Sequence, residues 1–304
     1  MRALESSRQE WHPRASWDLD HPPLRPVLTI REPLGRETVC KAAAEATFRA
    51  GIDFGPATDL RLSPAEAREL LGRAATGPFD DPGRYFADLC AALISDAALV
   101  RDDTGTAPTP LSYPKVARIN FLAGLVAFAG AELPEPKNRT RDPRYPRSAA
   151  DCIGQALFEH WERLDRPAGL RWDPDEAKRH AYQWNEPTDE QPKTQYGASR
   201  LAIVGLSALT AAPVYSASNI RLAVIGGKYD RSGFTFAWPI WSAPASFAAI
   251  RALLSHPDLR ASPELEHLGV DHIRVTRRIS LDRYRNFTYA EPLMESPGLN
   301  LPSS

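Results

Sequence analysis

Residues 219–225 (NIRLAVI) and 233–238 (GFTFAW) alternate with a period of two, whereas the chain before Pro213 repeats its apolar residues at three and four. The first rhythm is that of a half-buried strand and the second that of an amphipathic helix. The connection between the two runs, GGKYDRS at 226–232, is too long for a two-residue turn and reads as a loop. Residues 270–289 carry Val, Ile, Tyr and Phe between arginines, again more strand than helix. Helices first and antiparallel strands later predict an α+β fold rather than repeated βαβ units.

Upstream of that switch the helix signals are local. Ser63-Pro64-Ala65-Glu66 joins a capping serine, a proline at the first helical position and a glutamate reaching back. Phe86, Leu89, Cys90, Leu93 and Ile94 predict a helix from Pro82 to about Leu99. Residues 119–130 are apolar nearly all round and predict a buried helix. Ser148 with Asp151 opens another, running to about Leu164, and Asp173-Pro174-Asp175-Glu176 repeats the capping pattern. Residues 197–210 predict a helix stopped by Pro213, and 244–255 one more. The first 26 residues read as an irregular lead-in followed by a short strand at 26–31. Prolines, 28 of 304 residues, favour turns and short elements over long bundle helices. Three regions follow: 1–132, mixed and mostly helical; 133–147, a basic proline-rich loop; and 148–304, α+β with arginine-rich strands.

Composition excludes several classes. With Lys+Arg 37 against Asp+Glu 38, the chain is not a uniformly basic nucleic-acid coat. Cys40, Cys90 and Cys152 stand far apart with no CxxC pair, which argues against a disulfide framework and fits a reducing cytoplasm. The N-terminus has no apolar signal core, and the longest uncharged apolar run, 121–131, is eleven residues when a membrane span needs about 20. A cytoplasmic protein without membrane contact is expected.

Catalytic motifs fail one by one. Gly226-Gly227-Lys228 is no phosphate loop, because position 222 is leucine and Tyr229 follows the lysine. No GxSxG, HExxH or GxGxxG stretch occurs. His256, His267 and His272 with Glu266 and Asp271 read better as helix-end and surface residues than as a metal site. Glu135-Pro136-Lys137 has the spacing of a nuclease half-site but sits between prolines in a polar loop. No cofactor, metal or catalytic residue is assigned.

Charge segregation is more informative. Lys137, Arg139, Arg141, Arg144 and Arg147 stand against one acid, Asp142; Arg274, Arg277, Arg278, Arg283 and Arg285 stand against Asp282. Each segment is +4 in a chain of −1, so the rest sums to −9. Guanidinium forks bind phosphate oxygens in pairs, and each neutralised phosphate releases counterions. Solvated arginines paired with acids elsewhere are the alternative. Tyr145 offers a stacking face within the first segment; Trp238 and Trp241 are core packing by default and stacking or partner contacts otherwise. The 137–147 segment, too polar to bury itself, is expected to order only against a nucleic-acid backbone or an acidic protein face.

Several stretches in fixed order resemble the large-subunit-like proteins of type I-U (I-G) CRISPR systems. They are Thr109-Pro110-Leu111, Arg118-Ile119-Asn120-Phe121-Leu122, Leu170-Arg171-Trp172-Asp173-Pro174 with Ala181-Tyr182, Tyr196-Gly197-Ala198-Ser199-Arg200-Leu201-Ala202, Phe236-Ala237-Trp238-Pro239-Ile240-Trp241, and Arg277-Arg278 with Asn286-Phe287-Thr288. Residues 112–116 depart from the pattern in lacking glycines. The resemblance implies a non-catalytic subunit of an RNA-guided antiviral complex (Cascade). Such a subunit reads a short flanking motif (PAM), supports duplex opening and presents double-stranded target DNA to a helicase-nuclease, beside guide RNA and protein subunits. Arg200 and Asn286 join the two basic segments as expected nucleic-acid contacts. Two rivals stay open: a small-molecule or nucleotide-processing enzyme using His180, Glu186, Asp189 and Lys228, and an architectural adaptor whose arginines face protein.

Overall fold

The lead-in, expected to be irregular, is folded. Helix α1 (Arg2–Ser7) and a 3-10 turn (Gln9–Trp11) precede an antiparallel pair, β1 (Arg14–Asp18) and β2 (Arg25–Thr29). Leu4 and Trp11 bury themselves against Ala42, a tertiary contact that no local periodicity announces. The computed structural model describes residues 1–48, 52–78, 80–100, 104–113, 121–129, 132–133, 147–165, 170–176, 194–216, 219–231, 233–261, 265–281 and 284–293.

Helices α2 (Arg36–Phe48), α3 (Pro64–Thr76) and α4 (Asp81–Leu93) follow. The α3 start is the expected one: the Glu66 N–H donates to the Ser63 hydroxyl, and the Ser63 N–H donates to the Glu66 carboxylate at 2.7 Å. Helix α4 ends at Leu93, six residues before the expected Leu99, because Ile94 turns extended and the chain bends to bridge Leu99 with Thr106. Helix α5 (Phe121–Ala129) buries Phe121, Leu122, Leu125 and Phe128 but exposes Ala123, Val126 and Ala127, so it is covered on one side only.

A two-residue pairing of β3 (Glu132–Leu133) with β4 (Arg147–Ser148) joins the two ends of the basic loop, whose interior lies outside the described residues. Ser148 and Asp151 form the expected capping box of α6 (Ala149–Phe158), which stops six residues short of Leu164. The second capping box does not form. Glu176 instead accepts from the Arg171 N–H and the Thr194 hydroxyl.

Helix α7 (Tyr196–Leu206) leads into β5 (Ala211–Ser216), so Pro213 lies inside a strand instead of ending a helix. It is tolerated because, among the described residues, β5 pairs only with β6 (Asn219–Val224), leaving an edge that needs no N–H. The expected loop after β6 holds a further strand, β7 (Gly227–Asp230), hydrogen-bonded to β8 (Gly233–Ile240). Gly226 makes the corner at φ +75°, where a Cβ would lie 2.6 Å from the Ala237 carbonyl oxygen.

Helix α8 (Phe247–Leu254) is capped by Ser246. Strand β9 (His272–Leu281) then pairs with β8 on one side, and on the other with β10 (Tyr284–Phe287) and β11 (Glu291–Pro292). The α+β class is thus realised, with most strands in the C-terminal half. One hydrophobic cluster runs from Phe54 and Leu89 through Phe128 and Tyr196 to Phe234 and Phe287, joining the helical part to the sheet. The three cysteines are buried and free, and burial holds the Cys90 thiol up at about 12. Among the described residues no helix is long and apolar enough to cross a membrane.

Candidate nucleic-acid interface

Alternation along β9 divides its arginines. Arg274 and Arg278 lie on the face shared with Phe234, Phe236 and Trp238, while Arg277 and Ile279 lie on the other. Arg278 is an anchor: its Nη2 donates to the Ser112 carbonyl at 2.7 Å, and its guanidinium lies 4.8 Å from the centre of the Tyr113 ring. Tyr113 in turn meets Phe287 edge-on at 5.9 Å. Arg274, half-buried, donates Nε to His272 Nε2 at 3.1 Å, and burial with this neighbouring charge lowers the imidazole pKa. Arg277 is exposed and has no carboxylate partner among the described residues. Its backbone is tied on both sides to Thr288 at 3.0 and 2.9 Å. Asn286, half-buried, stands opposite Ile279, and Arg285 stands opposite Ser280; Arg283 and the side chain of Arg285 lie outside the described residues.

Other expected contacts serve the interior. Arg200 is 1% exposed; its guanidinium donates to Thr47 Oγ1 at 2.8 Å and to the Ala44 and Phe128 carbonyls, so it cannot reach a phosphate. Arg147 is held by Asp165 at 2.9 Å and Gln155 at 2.7 Å, which pins the end of the basic loop and takes its charge out of the cluster. Trp241 is 7% exposed, donates to the Ala15 carbonyl at 2.8 Å and packs edge-on to Trp17, which makes it core and no stacking platform. Trp238 is half-buried and stacked on Phe236 at 5.8 Å. Lys137, Arg139, Arg141, Arg144 and Tyr145 lie outside the described residues.

The exposed aromatic that sequence reasoning missed is Tyr215. It is 78% exposed near the end of the β5–β6 hairpin, opposite Ile220, which is also exposed. The signal for it is the strand at 211–216, which Pro213, read as a helix stop, hides. Nearby, Arg221 lies 5.0 Å from the centre of the Tyr229 ring.

Where they are described, several of the ordered stretches touch. Trp172 Nε1 donates to the Leu111 carbonyl at 2.7 Å and its ring meets Phe121 edge-on; Tyr196 stacks on Phe128 at 5.0 Å and its hydroxyl donates to the Phe128 carbonyl. With Arg200 on Phe128 and Arg278 on Ser112, these segments are the joints that fix the arginine hairpin against the helices. Their shared order is therefore a packing requirement as much as a site.

A buried polar junction adjoins them. Asp165, ion-paired to Arg147, also accepts from the Tyr196 N–H at 2.9 Å. Arg163 and Arg171 both take positive φ, at 54° and 62°, uncommon for side-chain-bearing residues, and Arg163 grips Asp173 and Asp175. Glu176 accepts from Thr194 Oγ1 at 2.5 Å, and burial pushes its carboxyl pKa up to about 7 from 4.5. The folded state therefore holds a proton that the unfolded chain releases near pH 4.5. The stability this confers is complete below pH 4.5 and lost as pH rises through about 7. Relative to Glu176→Gln, the wild type should lose on the order of 3 kcal/mol between those limits in denaturant titrations. A pH-independent difference would remove the assignment.

The rival enzyme's His180, Glu186 and Asp189 lie outside the described residues, and Lys228 is exposed on β7, apart from the junction. Among the described residues, no group of three or more His, Cys, Asp or Glu is placed to hold a metal. No protein-family model matches the chain, and no curated protein matches it.

Proposed function

We propose that this protein binds the backbone of double-stranded DNA without catalysing a reaction on it, as the cytoplasmic large subunit of an RNA-guided complex of the Cascade type. The observation that carries the reading is Arg277: an outward cation without an acidic partner among the described residues, on a hairpin secured to the helices through Arg278 and Tyr113, in a segment of net +4. A rigid mount lowers the ordering cost of a phosphate contact. Tyr215, exposed on the β5–β6 hairpin, adds a stacking face elsewhere on the protein. Guide pairing supplies sequence recognition, leaving the protein the backbone, the flanking motif and the hand-over to a helicase-nuclease.

The test is charge reversal of Arg277 in the assembled complex, leaving the anchor Arg278 intact. DNA affinity should fall at least tenfold, and the log–log salt dependence should flatten by about one, the unit for a phosphate no longer neutralised. Equal affinity across several salt concentrations sinks the reading. The adaptor reading has one observation of its own: Leu157, Phe158 and Trp161 are all exposed at the end of α6, with Arg36 over Phe158 and Arg163 over Trp161. Purification with the products of neighbouring genes separates the readings. Co-purifying guide RNA supports the first, a protein assembly without RNA the adaptor, and a lone active monomer the enzyme.

A further inference from the structure

A cavity of about 750 Å³ lies between α1, the end of α3, the first half of α4 and the first turns of α8. Its size falls within the range of small-molecule sites, roughly 300–1,000 Å³. Ala74, Ala75, Ala87 and Phe247 give it apolar walls; Arg2, Arg84 and Arg251 line it together with Glu5 and Asp88. The two carboxylates are already engaged. Asp88 pairs with Arg2 at 2.5 Å; Glu5 accepts from the Phe247 N–H at 3.1 Å and lies 3.9 Å from Arg14. Arg2 is held further by the Tyr85 and Phe247 rings, at 5.9 and 5.5 Å.

Two guanidiniums are left over. Among the described residues, exposed Arg84 has no acidic partner and Arg251 donates only to the neutral Thr210 hydroxyl, at 3.1 Å. A concave site with apolar walls and two uncompensated arginines selects a ligand that joins a dianionic group to a compact organic body. Guanidinium forks match phosphate oxygens in charge and in geometry. We propose that this cavity binds a phosphate monoester of mononucleotide size, independently of the arginine hairpin and its DNA.

The phosphate could come from a free mononucleotide or from the 5′ end of a nucleic-acid strand, and the experiment distinguishes them. Calorimetry on the full chain should detect AMP binding and none by adenosine at the same concentrations. Arg84→Glu, at an exposed position, should weaken AMP at least tenfold without lowering the melting temperature of the unliganded protein. Arg251→Lys should weaken it less, because it keeps the charge and loses the fork. A 5′-phosphorylated oligonucleotide that displaces AMP, where its 5′-hydroxyl twin does not, assigns the strand end; failure of both to displace assigns the free nucleotide. No AMP binding at millimolar concentration, equal binding of adenosine, or undiminished binding by Arg84→Glu overturns the site. None of these outcomes bears on Arg277, whose test uses duplex DNA.

Discussion

Gly197→Ala should cost about 4 kcal/mol of stability, a large part of a margin that is typically about 5–15 kcal/mol. Gly197 is the second residue of α7, where that helix crosses α6. A Cβ placed there would lie 1.9 Å from the Cys152 carbonyl oxygen, 2.4 Å from its carbon and 2.9 Å from the Ile153 nitrogen. All three are backbone atoms of a helix, so no side chain can swing aside. The helices must part, and the stacked Phe128–Tyr196 pair and the Tyr196–Asp165 hydrogen bond are strained with them. The sign is opposite to intrinsic propensity, which favours alanine over glycine in a helix by about 1 kcal/mol. Urea melts of wild type and variant decide it; a difference within about 1 kcal/mol of zero would mean that the close approach is absent.

The second large effect belongs to Arg200. Replacing it with methionine keeps the aliphatic bulk but removes the donors to Thr47 Oγ1, Ala44 O and Phe128 O, joining α2 to α7 and α5. Stranding buried acceptors costs about 1–3 kcal/mol each where they lack other partners. Thr47 Oγ1 still donates to Ala44 O at 2.9 Å, which softens the effect to about 3 kcal/mol in total. Arg200→Lys should recover only part, since one ammonium cannot span three acceptors spread over α2 and α5. Complexes that do assemble with Arg200→Met should bind DNA as the wild type does. Weaker DNA binding at unchanged stability would restore the arginine to the interface.

What could be read from the chain beforehand was whatever is settled within a few residues. The Ser63–Glu66 and Ser148–Asp151 caps formed as written, because both partners lie in one turn. The ends of α4 and α6 lie elsewhere: past Leu93 the apolar residues continue into extended chain in which Ile94 and Ala98 are buried, whereas past Phe158 residues 159–162 leave the helix exposed. Glu176 shows how a local motif loses to tertiary partners: Thr194, eighteen residues away, takes the carboxylate that Asp173 was expected to hold. The arginine clusters were visible in composition, but their division was not. Alternation places Arg277 and Arg278 on opposite faces, yet only the positions of Ser112 and Tyr113 decide which side is outside. The cavity arginines, far apart in sequence, carried no signal at all.

The clasp between the two ends of the chain sets a timetable for synthesis. Strand β1 is held through Ala15–Ala245 pairing, the Trp17–Trp241 backbone bond and the Trp241 indole, which reaches across 226 positions to Ala15. At roughly 5–20 residues per second, the β1–β2 pair waits on the order of 10–50 s before Trp241 is made. During that interval the Trp17 ring lacks its edge-on partner.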